Sequence, residues 1–207
     1  SRSRRPSIHM TSSSRVSLGR RPGRALALIA ALGTGVAGIT ACGDDPFAIR
    51  WTEAPDTVLL YSLARPEMNL ASGFGFRRRQ TVRIESAEAT GNWDMAVDTR
   101  GGQIVMLPPG ALGVESEARI APMPGATFEG LEEAPADTLL YTATEAVPAE
   151  LGMVYVFRTE RYSGSFGTRC VSYGKLEPLD VDPEAGTLTF MFDVSPVCND
   201  RRLVPPD

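Results

Sequence analysis

Histidine is almost missing from this chain of 207 residues: the one copy, His9, lies close to the start. Beyond it there is no imidazole, so a chain without those first residues could run neither a Ser-His-Asp nor a Cys-His mechanism and would have no histidine to ligate a metal. Lysine is equally scarce, with Lys175 the only one. Catalysis is therefore left with carboxylates, a Ser-Lys pair built on Lys175, or oxygen-ligand metals. There are three cysteines and no Cys-x-x-Cys, which argues against a dithiol redox role. Helical periodicity is also lacking, because apolar residues mostly alternate instead of recurring every three or four positions.

What is present begins with a positively charged N-terminus. Arg15, Arg20, Arg21 and Arg24 precede an apolar stretch, Ala25 to Ala41, and no acidic residue occurs before Asp44. The stretch ends in Ile39-Thr40-Ala41-Cys42. This order of n-region, h-region and aliphatic-small-small-Cys resembles the lipobox signal of bacterial lipoproteins. The resemblance covers only residues 15–42. It implies that residues 1–41 are a signal peptide, with translation starting at Met10 or further upstream. It implies cleavage after Ala41 and a diacylglyceryl group on the Cys42 sulfur, with acylation of the new amine. The membrane partner is then met through the acyl chains on Cys42, and residues 42–47 form a lipidated cysteine with a short linker. Gly43 stands where Asp resembles an inner-membrane retention signal, so the expected location is the periplasmic face of the outer membrane. An uncleaved anchor helix fits less well: about 17 residues is the lower limit for a span, and Gly33, Gly35 and Gly38 weaken it. Pro22-Gly23 after Arg20-Arg21 departs from the twin-arginine export pattern.

Removing residues 1–41 changes the electrostatics. Seven arginines and no acidic residue precede Cys42, so the remainder has 21 − 7 = 14 basic against 25 acidic residues, and the net charge goes from −4 to −11. So acidic a chain is not expected to bind nucleic acid, where affinity comes from neutralising phosphates. With Cys42 lipidated, Cys170 and Cys198 remain as an even pair in an oxidising compartment and are expected to form a disulfide. Closing that loop stabilises the fold by about 3–4 kcal/mol through chain entropy.

Residues 48–207 are expected to form one mainly β domain, an antiparallel sandwich or barrel. Candidate strands are Thr57 to Leu63, Phe74 to Ile84, Trp93 to Val97, Gln103 to Leu107, Ala118 to Pro122, Thr138 to Thr142, Met153 to Thr159, Cys170 to Leu176 and Thr187 to Val194. Gly101-Gly102, Pro108-Pro109-Gly110 and Pro183-Glu184-Ala185-Gly186 mark turns, and Pro109 to Leu112 and Pro148 to Leu151 are candidate single helical turns. An internal repeat joins two similar halves of about 80 residues, near 51–112 and 131–195. Glu53-Ala54-Pro55 and Leu59-Leu60-Tyr61 match Glu133-Ala134-Pro135 and Leu139-Leu140-Tyr141. Phe76-Arg77 matches Phe157-Arg158, and Val97-Asp98 with Gly102 matches Val181-Asp182 with Gly186.

No catalytic residue and no cofactor or metal site is assigned. Arg77, Arg79 and Arg83 are the candidate anion-binding residues, because strand alternation puts them on one face and guanidinium pairs bidentately with carboxylate or phosphate. The competing reading is a charged edge strand that resists aggregation or pairs with the surplus Asp and Glu. Asp180, Asp182 and Glu184 miss the calcium-loop spacing and read as a hairpin turn. Trp51, Trp93, Tyr61, Tyr141 and Tyr155 read as core. The expected function is a non-enzymatic envelope lipoprotein whose β domain binds a protein, glycan or small ligand, or acts as an assembly subunit. The alternative is a carboxylate-dependent hydrolase acting on envelope polysaccharide or peptide.

Overall fold

A computed structural model describes residues 51–86, 89 and 91–206. His9, Cys42, the signal stretch and the linker lie outside the described residues. The strands are β1 (Asp56–Tyr61), β2 (Gly73–Gly75), β3 (Gln80–Val82), β4 (Met95–Arg100), β5 (Gln103–Leu107), β6 (Arg119–Met123), β7 (Val147–Pro148), β8 (Val154–Arg158), β9 (Tyr162–Ser163), β10 (Arg169–Cys170), β11 (Tyr173–Asp182) and β12 (Thr187–Val194). They form two five-stranded antiparallel sheets, β1-β12-β11-β8-β6 and β3-β2-β4-β5-β7, with β9 and β10 as a small separate ribbon. The fold is a β-sandwich, and no helix among the described residues is long and apolar enough to cross a membrane.

The core follows from alternation. In β12, Leu188, Phe190 and Phe192 are fully buried while Thr187, Thr189 and Met191 are only partly so. Phe74 and Phe76 come from the other sheet, and Phe74 meets Phe192 edge-on at 4.9 Å between centroids. Phe76 stacks on Phe157 of β8 at the sandwich centre. Each such ring contributes about 2 kcal/mol by leaving water. Gly174 in β11 makes room for this stack: a Cβ there would lie 2.1 Å from the Phe157 ring and 2.4 Å from the Asp193 carbonyl.

Both sheets are assembled alike. β2, β4 and β5 from the first half are completed by β7 from the second, and β8, β11 and β12 are completed by β1. Of the sequence matches, Phe76 lies in the turn after β2, whereas Phe157 lies inside β8, paired with Gly174 and Ile120. Gly102 (φ 80) and Gly186 (φ 62) close the β4–β5 and β11–β12 hairpins. In the second hairpin the Asp182 carboxylate accepts the Glu184 and Ala185 N–H groups, which is a turn and not a calcium loop.

Four local expectations need correction. Phe74 to Ile84 is not one strand but a hairpin, β2–β3, turning at Phe76–Arg79. Thr138–Leu140 is a 3-10 turn, capped by the Asp137 side chain accepting the Leu139 N–H. The expected strand Cys170 to Leu176 is split between β10 and β11. Val147–Pro148 pairs with β5 as β7, so Pro148 belongs to a strand and not to a helical turn. Pro109–Leu112 is a 3-10 helix.

Candidate functional site

Strand registers gather one end of the sandwich. Asp56 pairs with Phe192, Gly174 with Val194, and Tyr173 and Arg119 both with Arg158. The chain enters at this end through Trp51, and the β2–β3 turn and the loops leaving β8 and β12 surround it.

Two buried carboxylates organise it. Asp94, 7% exposed, accepts the Phe76 N–H at 2.8 Å on one oxygen and the Glu160 N–H at 2.6 Å on the other. It thereby ties the β2–β3 turn to the strand leaving β8, one sheet to the other. Burial pushes its carboxyl up to about 6, against the two backbone donors and Arg77; nearby Glu160 adds to the rise. Glu160 accepts the Glu117 N–H at 2.9 Å, the Ser116 hydroxyl and the Arg161 N–H at 2.8 Å. Asp193, 3% exposed, pairs with Arg79 at 2.7 Å and accepts the Ala54 N–H at 3.2 Å.

The three anion-binding candidates do not share a strand face. Arg79 adopts a positive φ of 52° in the turn, and its guanidinium is taken by Asp193, the Ala54 carbonyl and the face of Phe192. Arg83 lies past β3, beside a separate recess that also involves Arg78 and Gln80. Arg77 is exposed and its guanidinium lies 4.4 Å over the Tyr162 ring; like Arg83, it has no side-chain hydrogen bond or ion pair among the described residues. Arg78 donates to the Asn92 side-chain oxygen at 2.7 Å.

Arg77 and Tyr162 form the wall shared by two recesses. One, about 200 Å³, reaches Asp94, Thr159 and Glu160. The other, about 440 Å³, reaches Trp51, Ser172 and Ser195. Tyr162 is fixed by a 3.0 Å hydrogen bond between its hydroxyl and Ser172, and the Trp51 indole N–H has no hydrogen-bond partner among the described residues. A cation and aromatic faces thus line one cleft, a combination suited to an anion carried on a flat or ring-shaped group, while the Trp51 indole nitrogen itself is buried.

The remaining chemistry is placed elsewhere. Cys170 and Cys198 are joined in a disulfide with Cα atoms 5.1 Å apart. Lys175, 2% exposed, donates to the Leu131 carbonyl at 3.2 Å and lies over the Phe128 ring. Burial lowers its ammonium below the usual lysine range, opposed by Glu53, Asp193, Glu129 and Glu132. Its one hydrogen bond among the described residues goes to a carbonyl, so the Ser-Lys arrangement is not what this geometry builds. Trp93 is core, whereas Trp51 is only half-buried and lines the cleft. Among the described residues no group of three His, Cys, Asp or Glu side chains converges on a metal position.

Asp94, Glu160 and Tyr162 were not legible as site residues. Asp94 had one signal, a lone acid between Trp93 and the apolar run Met95-Ala96-Val97, where a charge needs buried donors. Tyr162 had none, since its partner Arg77 is 85 positions away. Compared with known proteins, the chain matches no family model and no curated protein.

Proposed function

We propose that the protein is an envelope lipoprotein, held by acyl chains on Cys42 at the periplasmic face of the outer membrane. Its β-sandwich works by binding an anionic partner, a carboxylate- or phosphate-bearing glycan or small molecule, in the Arg77–Tyr162 cleft. The lipobox sequence supports the anchor. The observation that carries the binding reading is the Arg77 guanidinium itself, stacked on Tyr162 and unpaired among the described residues, in a recess that also reaches Asp94 and Glu160. Guanidinium so placed keeps its forked donors for an incoming carboxylate or phosphate.

The hydrolase alternative has its own observation, a carboxyl raised to about 6 beside a second acid. Both oxygens of Asp94 nevertheless receive backbone N–H donors, which makes this group a brace between sheets before it is an acid or base. The test is titration of the protein with inorganic phosphate and with glucuronate, followed at the Arg77 side-chain N–H resonance by NMR. A saturable shift that disappears in Tyr162→Ala supports the cleft, and an unchanged resonance overturns it. For the anchor, Cys42→Ser should lose both the fatty-acid label and membrane retention.

A further inference from the structure

The ribbon β9–β10 ends in a projecting knuckle. Its tip, Ser165–Gly167, carries Phe166 with its ring fully exposed. Phe166 has φ 56°, a left-handed conformation that L residues other than Gly, Asn and Asp rarely adopt. Nothing in the described fold packs on this ring, yet its base is strongly held. The Gly164 N–H donates to the Thr168 carbonyl at 2.8 Å. Cys170 is bonded to Cys198, and Asn199 bridges the Val171 N–H and the Arg169 carbonyl. Gly164 is needed there, since a Cβ would lie 2.3 Å from the Cys170 sulfur. The hairpin is a rigid mount for one outward-facing aromatic ring.

The geometry points to a second membrane contact: Phe166 enters the bilayer interface, with Arg169 meeting lipid phosphates at its edge. This inference rests on the acyl-anchor reading. Three observations favour a bilayer as the occupant. The knuckle is at the end of the sandwich where the chain enters at Trp51, and nine residues from Cys42 reach at most about 30 Å. From Tyr162 to Thr168 the hairpin has no charged side chain, so a tip can enter the interface without dehydrating an ion. Arg169 is exposed and has no acidic partner among the described residues, which suits an anionic headgroup layer even on an acidic domain. A protein partner would instead favour a wider apolar surround, because interface anchors sit inside a rim that excludes water.

The experiment uses the acylated full-length protein in vesicles of phosphatidylethanolamine and phosphatidylglycerol with brominated acyl chains. Phe166→Trp adds a reporter at the knuckle, and Leu151→Trp adds one at the other end of β8, where Leu151 is 64% exposed. After subtraction of the Trp51 and Trp93 emission, the reporter at 166 should lose at least about half its intensity, and the one at 151 almost none. Protein that floats with the vesicles while the reporter at 166 stays bright overturns the knuckle contact alone. Equal quenching at both positions also overturns it. Protein that fails to float overturns the anchor reading and the contact with it.

Discussion

Asp94 offers the sharpest test of how the two sheets are joined. Its carboxyl moves from an ordinary 3.8 to about 6 because burial opposes ionisation more than two backbone N–H donors favour it. A raised carboxyl binds its proton more tightly in the folded than in the unfolded chain. Between about pH 4 and 6 the folded state is protonated at Asp94 while the unfolded state is not, so stability falls as pH rises through that window. The contribution is fully present below 3.8 and lost above about 6. At about 1.4 kcal/mol per pH unit the total change is about 3 kcal/mol.

Asp94→Asn isolates this effect. An amide has one acceptor oxygen where the carboxyl has two, so it leaves either the Phe76 or the Glu160 N–H facing another donor, a loss of about 1–3 kcal/mol. More important is the shape of the difference. Urea unfolding of both proteins from pH 4 to pH 7 should show the advantage of the wild-type chain shrinking by about 3 kcal/mol across the range, the other carboxylates cancelling in the comparison. A carboxyl carbon resonance of Asp94 titrating near pH 6 would agree. Parallel stability curves, within about 0.5 kcal/mol at every pH, would refute the assignment of a buried, proton-holding Asp94.

Two further predictions concern the scaffold. Replacing both Cys170 and Cys198 by Ala reopens a loop with a sequence separation of 28 and should lower stability by about 3–4 kcal/mol in urea titration; a change under about 1 kcal/mol would mean that Asn199 and the strand ends hold the loop by themselves. Gly174→Ala should lower stability by about 3 kcal/mol and disturb the near-ultraviolet signal of the Phe76–Phe157 stack, whereas Gly152→Ala, with a positive φ but open space around it, should lose only about 1 kcal/mol. Equal losses at the two glycines would contradict the close approach at Gly174.

Alternation places Thr187–Val194, where burial on one face imposes a period of two, whereas Gln103–Leu107 is a short apolar run buried on both faces and is marked by its length and the turn before it. Each is preceded by a turn containing glycine with positive φ. The β2–β3 turn could not be read in that way. Phe76 to Arg79 continues a plausible strand, and what bends it is supplied from elsewhere: Asp94 takes the Phe76 N–H, and Asp193 draws in the Arg79 guanidinium. The arginines therefore divide among different partners, and only Arg77 is left to the cleft.

The sharpest case of distant control is a pair of nearly identical segments. Residues 53–61 read Glu-Ala-Pro-Asp-Thr-Val-Leu-Leu-Tyr and residues 133–141 read Glu-Ala-Pro-Ala-Asp-Thr-Leu-Leu-Tyr. The first becomes β1, six residues paired with β12, and buries Leu60. The second becomes a 3-10 turn in which Leu139 is almost wholly exposed. Local propensity is practically the same, so the difference comes from the available edge. β12 offers an open ladder along its length to β1. The segment near Tyr141 meets β6 only through the Ile120–Thr142 bridge, and the extra Ala136 moves Asp137 into position to cap the turn. The place that β1 fills in one sheet is filled in the other by β7, which is short and bears Pro148. The segment leading into β1 brings Trp51 to the recess beside Arg77 and Tyr162, and Ala54 to Arg79 and Asp193.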